Sequence, residues 1–288
     1  MSVVNNIIFR ARQLEWVFPR PTLVMGIVNV TPDSFSDGGR YFDAQAAVAR
    51  GLELAAQGAD ILDIGGESTR PGAQPVSEQE ELRRIMPVIE RLAGRTSAAL
   101  SIDTTKPAVA RAALAAGASI VNDVGAIRTD RAIWQVVAEF QAGYVVMHAP
   151  ASPRTDHGDP VYGDVVREVG EFFSERLIML MNESGIATEH VVLDPGIGFG
   201  KTLGHNLQLL AGLRSFKKWR RPLLVGVSRK SFIEKLTGAK VNERLPASLA
   251  CATLAVASGA AIIRAHDVAE TVQTVRMAEA ILQESNVD

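Results

Sequence analysis

Leu23-Val24-Met25-Gly26-Ile27-Val28 is an uninterrupted apolar run, and it leads directly into Asn29-Val30-Thr31-Pro32-Asp33-Ser34-Phe35-Ser36-Asp37-Gly38-Gly39. The apolar run predicts a buried β-strand. The second stretch crowds hydroxyl, carboxyl and amide groups into a loop, and its proline and glycines permit a sharp backbone. We therefore expect a ligand-binding loop at the C-terminal end of a strand. A solvated turn is the alternative.

The same alternation of apolar run and polar loop recurs along the chain, and helical patterns separate the repeats. Eight such β/α units predict an α/β fold, a single-domain TIM (β/α)8 barrel over about residues 22–284 with a short N-terminal extension. A doubly wound open sheet fits the same order, but polar clusters after nearly every strand favour closure. The predicted strands lie near 23–28, 61–64, 99–102, 120–122, 143–147, 191–193, 223–226 and 261–264, and the helices near 44–57, 78–93, 107–116, 131–139, 163–183, 206–213, 247–258 and 268–282.

Composition excludes several classes of protein. The 288 residues are 47% hydrophobic and carry a net charge of -2, so a general nucleic-acid surface is not expected. No linker or low-complexity segment divides the chain, which predicts one domain over residues 1–288. The single cysteine, Cys251, permits a reducing compartment, and no signal-type segment precedes the barrel, so a cytoplasmic location is expected. The uncharged stretch 245–263 is interpreted as a buried helix and strand, not as a membrane span.

Polar residues at the predicted strand ends should meet at one face of the barrel. Asp103, Asn122, Asp194 and Lys230 offer both donors and acceptors, which suits the edges of a flat heterocycle. Arg70, Arg264 and His266 suit phosphate oxygens. Lys230 could instead be the Schiff-base lysine of an aldolase. The stretch Gly196-Ile197-Gly198-Phe199-Gly200-Lys201-Thr202 resembles a phosphate-binding P-loop but is not one. The first glycine of that motif would fall at the preceding position, which is Pro195.

Two stretches carry a family resemblance. Met25 to Gly39 and Asp63-Ile64-Gly65-Gly66-Glu67-Ser68-Thr69-Arg70-Pro71-Gly72 resemble the two signatures of the dihydropteroate synthases. Further similar segments surround Asp103, Asn122, Asp194 and Lys230, and extend the resemblance from about Leu23 to about Asp267. It implies a transferase of folate biosynthesis that condenses 7,8-dihydropterin-6-ylmethyl pyrophosphate with 4-aminobenzoate, giving dihydropteroate and pyrophosphate.

The resemblance also implies a role for individual residues. Catalytic roles are expected for Asp37, which would face the transient cation, and for Arg70, Lys230, Arg264 and His266. Mg2+ is expected to bridge the pyrophosphate, with Asn29 as its protein ligand, and the chain is expected to form a homodimer. The binding residues by substrate are Asp103, Asn122, Met147, Asp194 and Lys230 for the pterin; Asn29, Arg70, Arg264 and His266 for pyrophosphate; and Phe35, Thr69, Pro71, Phe199 and Ser228 for aminobenzoate.

One loop departs from the family pattern, and two other functions remain open. The loop at 149–160 departs from the family pattern, so its conformation and role are not carried over. No residue is inserted beside Pro71, which predicts that sulfonamides compete with aminobenzoate. A pterin-binding methyltransferase and a catalytically silent paralogue that binds pterin or an anion remain alternatives, and pyrophosphate release that depends on aminobenzoate would separate them from a synthase.

Overall fold

Eight parallel strands form the centre of the protein, as the sequence predicts. The computed structural model describes residues 6–31, 40–68, 73–126, 131–149 and 161–284, and excludes the side chains of 40–43. The predicted apolar runs all become strands because each is buried on both faces, as parallel strands under helices require. They are β3 (Leu23–Asn29), β4 (Ile61–Gly65), β5 (Ala99–Asp103), β6 (Ile120–Asp123), β7 (Gly143–Met147), β8 (Val191–Asp194), β9 (Leu224–Gly226) and β10 (Ile262–Ala265).

The sheet closes on itself. Its hydrogen-bonded order runs β8-β7-β6-β5-β4-β3-β10-β9. The remaining gap is spanned by a parallel bridge between Leu193 and Leu223, where the Leu193 amide donates to the Pro222 carbonyl at 3.0 Å. This closure confirms the TIM barrel and rejects the open doubly wound sheet, and it brings every C-terminal strand end to one mouth.

Helices cover the outside of the barrel and bury their apolar faces against the strands. The sequence did not predict one short helix, Ser231–Thr237, which follows Lys230 directly. The helices are α1 (Arg40–Ala56), α2 (Glu78–Leu92), α3 (Pro107–Ala115), α4 (Arg131–Phe140), α5 (Val165–Met179), α6 (Leu203–Gly212), α7 (Ser231–Thr237), α8 (Leu245–Ala257) and α9 (Val268–Glu284). None of the helices within the described ranges is long and apolar enough to cross a membrane.

The N-terminal extension forms an antiparallel hairpin, which the sequence did not predict. Its strands are β1 (Ile7–Ala11) and β2 (Leu14–Phe18). Phe9 stacks on Trp16 with ring centroids 5.2 Å apart, and both pack in one cluster with the lowest side chains of the barrel, including Leu23 and Met25. The hairpin therefore seals the N-terminal end of the barrel. The opposite, C-terminal end carries the polar residues.

Candidate active site

Asp63 is the centre of a hydrogen-bond network inside the mouth of the barrel. It lies in the middle of β4 and is fully buried. Its Oδ1 accepts from Ser101 Oγ at 2.7 Å, and its Oδ2 accepts from Asn122 Nδ2 at 2.9 Å and from Arg264 Nε at 2.7 Å. A buried carboxylate is tolerated only when it is paired and hydrogen-bonded in this way. The family resemblance includes Asp63 only as the first residue of the second signature stretch and gives it no role.

Arg264 reaches across the mouth from β10 to two acids on β4 and β5. Besides Asp63, its guanidinium binds Asp103, with Nη2 donating to Oδ2 at 2.9 Å. Asp103 does not cap α3, because that helix begins after Lys106. Burial and the neighbouring Asp63 raise the pKa of Asp103 to about 7, although Arg264 opposes the shift. The same two acids outweigh burial and raise the pKa of Arg264. Arg264 thus faces the predicted pterin residues.

Asp194 and Lys230 lie on the other side of the mouth. Asp194 ends β8, and its Oδ1 accepts from the Gly196 amide at 2.7 Å. Burial raises the pKa of Asp194, and burial lowers the pKa of Lys230 to about 8 although Asp194 and Asp103 oppose that shift. Lys230 Nζ donates to the Ile197 carbonyl and lies 4.3 Å from the centroid of the Phe199 ring. A buried acceptor and a partly buried donor are therefore held near each other.

Met147 supplies an apolar wall beside these groups. It is fully buried at the end of β7 and packs in a small cluster with Val124 and Ala149, against which Phe199 also lies. A flat ring placed between the carboxylates and this wall would meet hydrogen-bonding groups at its edge and carbon atoms on its face. Such a combination is typical of small-molecule sites.

Ser228 and His266 form a second pair at the mouth. Ser228 Oγ lies 3.0 Å from His266 Nδ1 and accepts from the His266 amide at 3.2 Å. Asn29 ends β3, which lies between β10 and β4, and is partly buried. Ser228 follows β9 and His266 follows β10, the strand that carries Arg264. One half of the mouth therefore combines amide, hydroxyl, imidazole and guanidinium groups. Five sequence predictions lie outside the described residues: Phe35, Asp37, Thr69, Arg70 and Pro71.

Gly196 marks the turn after β8 and yields a stability prediction. Its φ is +68°, and a Cβ added there would lie 1.9 Å from the His148 carbonyl oxygen. We expect Gly196→Ala to lower the free energy of unfolding by more than about 3 kcal/mol, because left-handed strain adds to a backbone clash. Gly185→Ala is the matched control, since its φ is +70° with nothing within 4 Å, and about 1 kcal/mol is expected there. Chemical denaturation measures both, and equal losses would contradict the clash.

The comparisons with known proteins bear on the family and the fold. A family model described as pterin binding enzyme matches residues 25–266. The dihydropteroate synthase of Escherichia coli K12 is 48% identical over 259 residues, which is 90% of this chain and 91% of that protein. The Xanthomonas albilineans dihydropteroate synthase structure with 4-aminobenzoic acid is 47% identical with a TM-score of 0.88, and the match covers 96% of this chain and 98% of that one. The Yersinia pestis dihydropteroate synthase with a sulfonamide drug is 43% identical with a TM-score of 0.89, covering 96% and 99%.

Fold and site together define a TIM-barrel enzyme of the pterin-binding class. Its mouth joins buried carboxylates to a guanidinium, a lysine and a histidine, and the family match spans the strands that carry them. At this identity and coverage the narrower assignment also holds. The chain belongs to the dihydropteroate synthase family.

Proposed function

We propose that this protein catalyses the synthesis of dihydropteroate from 7,8-dihydropterin-6-ylmethyl pyrophosphate and 4-aminobenzoate. The observation that carries the proposal is the Arg264 guanidinium bound to Asp63 and Asp103 at the barrel mouth of a member of this family. A pterin presents N–H and amino donors along one edge and carbonyl and ring-nitrogen acceptors beside them. Asp103, Asp194, Asn122 and Lys230 offer the matching partners.

The pterin ring is held by charge as well as by shape. Asp103 and Asp194 would accept from the amino and ring N–H groups, while Lys230 donates to an acceptor. A charged hydrogen bond contributes about 1.5–3 kcal/mol. Two such bonds therefore suffice to reject a ring that lacks the matching groups, because buried polar side chains would then be left unpaired. Met147 covers one face of the ring.

The pyrophosphate is assigned to the half of the mouth that holds Asn29, Arg264 and His266. Among the described residues no group of three or more His, Cys, Asp or Glu side chains could hold a metal. This donor set does not fit a metal enclosed by protein, but it fits Mg2+ bound through substrate oxygens, with one amide ligand such as Asn29. When bound, Mg2+ would neutralise charge on the leaving pyrophosphate. Loss of turnover in chelator, with recovery on adding Mg2+, tests this assignment.

The reaction requires no protein nucleophile. The C–O bond between the pterin methylene and pyrophosphate breaks with its electron pair leaving on oxygen, and the methylene becomes cationic. The aminobenzoate nitrogen then forms the C–N bond and loses one proton. Asn29, Arg264 and His266 stabilise the departing anion, while Phe199 and Ser228 border the place of the arylamine. Exclusion of water by the walls protects the cation from hydrolysis.

Product analysis with and without aminobenzoate tests the function. We expect equal amounts of dihydropteroate and pyrophosphate when both substrates are present, and a sulfonamide should raise the apparent KM for aminobenzoate. Pterin binding without any product would indicate the silent paralogue. A carbonyl compound trapped on Lys230 by borohydride would indicate aldolase chemistry and would overturn the role given to this lysine.

The homodimer and the cytoplasmic location are proposals. A second copy of the chain is proposed to pack on α8 and α9, which expose the large apolar side chains Leu254, Met277 and Ile281. Charged substitution of Leu254 should then yield monomers, as measured by light scattering; a monomeric unsubstituted protein would reject the homodimer. A cytoplasmic location is proposed from the single cysteine, and fractionation of producing cells would test it.

A further inference from the structure

Lys201 is a buried lysine whose ammonium group points at backbone oxygens. Its Nζ lies 2.9 Å from the Gly196 carbonyl oxygen, 3.0 Å from that of Phe199 and 3.2 Å from both the carbonyl oxygen and Nδ1 of His148. An ammonium has three donors, and these acceptors surround it. Lys201 forms no salt bridge with a described carboxylate, and its hydrogen-bond acceptors are mainly backbone carbonyl oxygens. The charge of the nearby Asp194 also favours the ammonium form. Burial lowers its pKa to about 7.

The segment around Lys201 is shaped so that its carbonyls can meet this cation. Gly196, Gly198 and Gly200 have φ angles of +68°, +82° and +54°, a region that side-chain-bearing residues rarely adopt. We call residues 196–200 the glycine loop. This is the motif that resembles a P-loop in sequence, but here the lysine gathers the carbonyls of its own loop. The lysine therefore has a different use from that in a nucleotide site.

The other face of the glycine loop meets the active site. The Ile197 carbonyl accepts from Lys230 Nζ, and the Phe199 ring lies 4.3 Å from that same nitrogen. A Cβ on Gly198 would lie 2.7 Å from Lys230 Cδ, so loop and lysine are in close contact. Lys201 on one side and Lys230 on the other thus bracket the loop. Any shift of the carbonyls held by Lys201 would move Phe199.

We propose that Lys201 is a positioning residue that holds the glycine loop so that Phe199 forms one wall of the arylamine subsite. The proposal rests on the proposed function for the identity of the second substrate. It also links two loops, because His148 belongs to the segment after β7 and the glycine loop follows β8. Asp103 and Asn122 hold the pterin from β5 and β6 and do not contact this loop. Asp194 and Lys230 do contact it, through the Gly196 amide and the Ile197 carbonyl.

Lys201→Met tests the proposal, because it keeps an unbranched side chain only one atom shorter but removes the charge and all donors. We expect the KM for 4-aminobenzoate to rise about tenfold or more, since displacement of a substrate-bordering group by about 1 Å costs this much or more. The dissociation constant of the pterin substrate, measured by calorimetry, should rise by a smaller factor than this KM, because Asp103 and Asn122 do not contact the loop. The matched control is Lys235→Met, an exposed lysine on α7, which should leave both constants unchanged.

Phe199→Ala, alone and combined with Lys201→Met, completes a double-mutant cycle. If Lys201 acts through Phe199, the double variant should raise the KM for aminobenzoate no more than the larger single effect. Additive effects, an unchanged KM in Lys201→Met, or an equal loss of pterin affinity would overturn the proposal. Should Lys201→Met fail to fold, Phe199→Ala alone decides: a selective rise in this KM supports the proposal, and an unchanged KM refutes it. Wild-type protein that makes no dihydropteroate would refute the proposed function itself, not this inference alone.

Discussion

Arg264→Met is expected to destabilise the protein by about 3–5 kcal/mol and to lower turnover by a factor of about 1000. The substitution leaves Asp63, which is fully buried, and Asp103 without their shared cation. An uncompensated buried charge is among the most costly changes in a protein interior. The pKa of Asp103 is already raised to about 7 with Arg264 in place, so it should rise further without it. Chemical denaturation and steady-state kinetics measure the two losses.

A second substitution separates the structural loss from the catalytic one. In Arg264→Met, Asp103 must either stay charged beside Asp63 or take up a proton. Adding Asp103→Asn removes both costs, so part of the stability should return while turnover stays low. Arg111→Met is the surface control, because Arg111 pairs with Glu139 on an exposed face, and little change is expected. An Arg264→Met variant as stable as wild type would show that the Asp63–Arg264–Asp103 cluster does not exist as described.

Pterin affinity is expected to be highest between about pH 7 and about pH 8. Binding requires the Asp103 carboxylate, whose pKa is about 7, and the Lys230 ammonium, whose pKa is about 8. Affinity should fall about tenfold per pH unit on either side, because one bound partner loses its proper charge. Asp103→Asn should remove the part of the acidic limb that Asp103 contributes and leave the part due to Asp194, whose pKa is also raised by burial. Lys230→Met should remove the alkaline limb. Comparing variants at each pH by calorimetry cancels the titration of the ligand itself.

The stability of the ligand-free protein provides an independent check on Asp103. The folded state holds this proton between pH 3.8 and about 7, whereas the unfolded chain has released it. The folded state binds more protons in that window, so the contribution of Asp103 to the free energy of unfolding falls as pH rises through it. Asp103→Asn should remove this part of the slope. Unchanged slopes in the variant would assign the titration to another group.

The barrel could be predicted from the sequence because buried parallel strands leave a strong signal. Each apolar run became a strand within about two residues at either end. The hairpin before it left no such signal. Its turn is made at Arg12, which has a φ of +58°, and not at a glycine or asparagine, so the usual hairpin pattern is missing. Its apolar residues cover the N-terminal end of the barrel, and that role can be seen only when the position of the barrel is known.

The sequence could predict which polar residues lie at the strand ends, but not how they pair with one another. Active sites of TIM barrels lie at the C-terminal ends of the strands. The residues at or close after those ends include Asp103, Asn122, Asp194 and Lys230. The pairing of Arg264 with Asp63 spans 201 positions of sequence and depends on how far the barrel is closed. Lys201 is harder still, because its partners are backbone carbonyls whose direction is set by positive φ angles. No spacing of residue types encodes that geometry.

The position of a bound pterin pyrophosphate in a crystal structure tests the account most directly. The pterin edge should lie within about 3.2 Å of polar atoms of Asn122, Asp194 and Lys230, with the pyrophosphate beside Asn29 and His266. A ring bound outside the barrel mouth, or a pyrophosphate on the side of Met147, would contradict it.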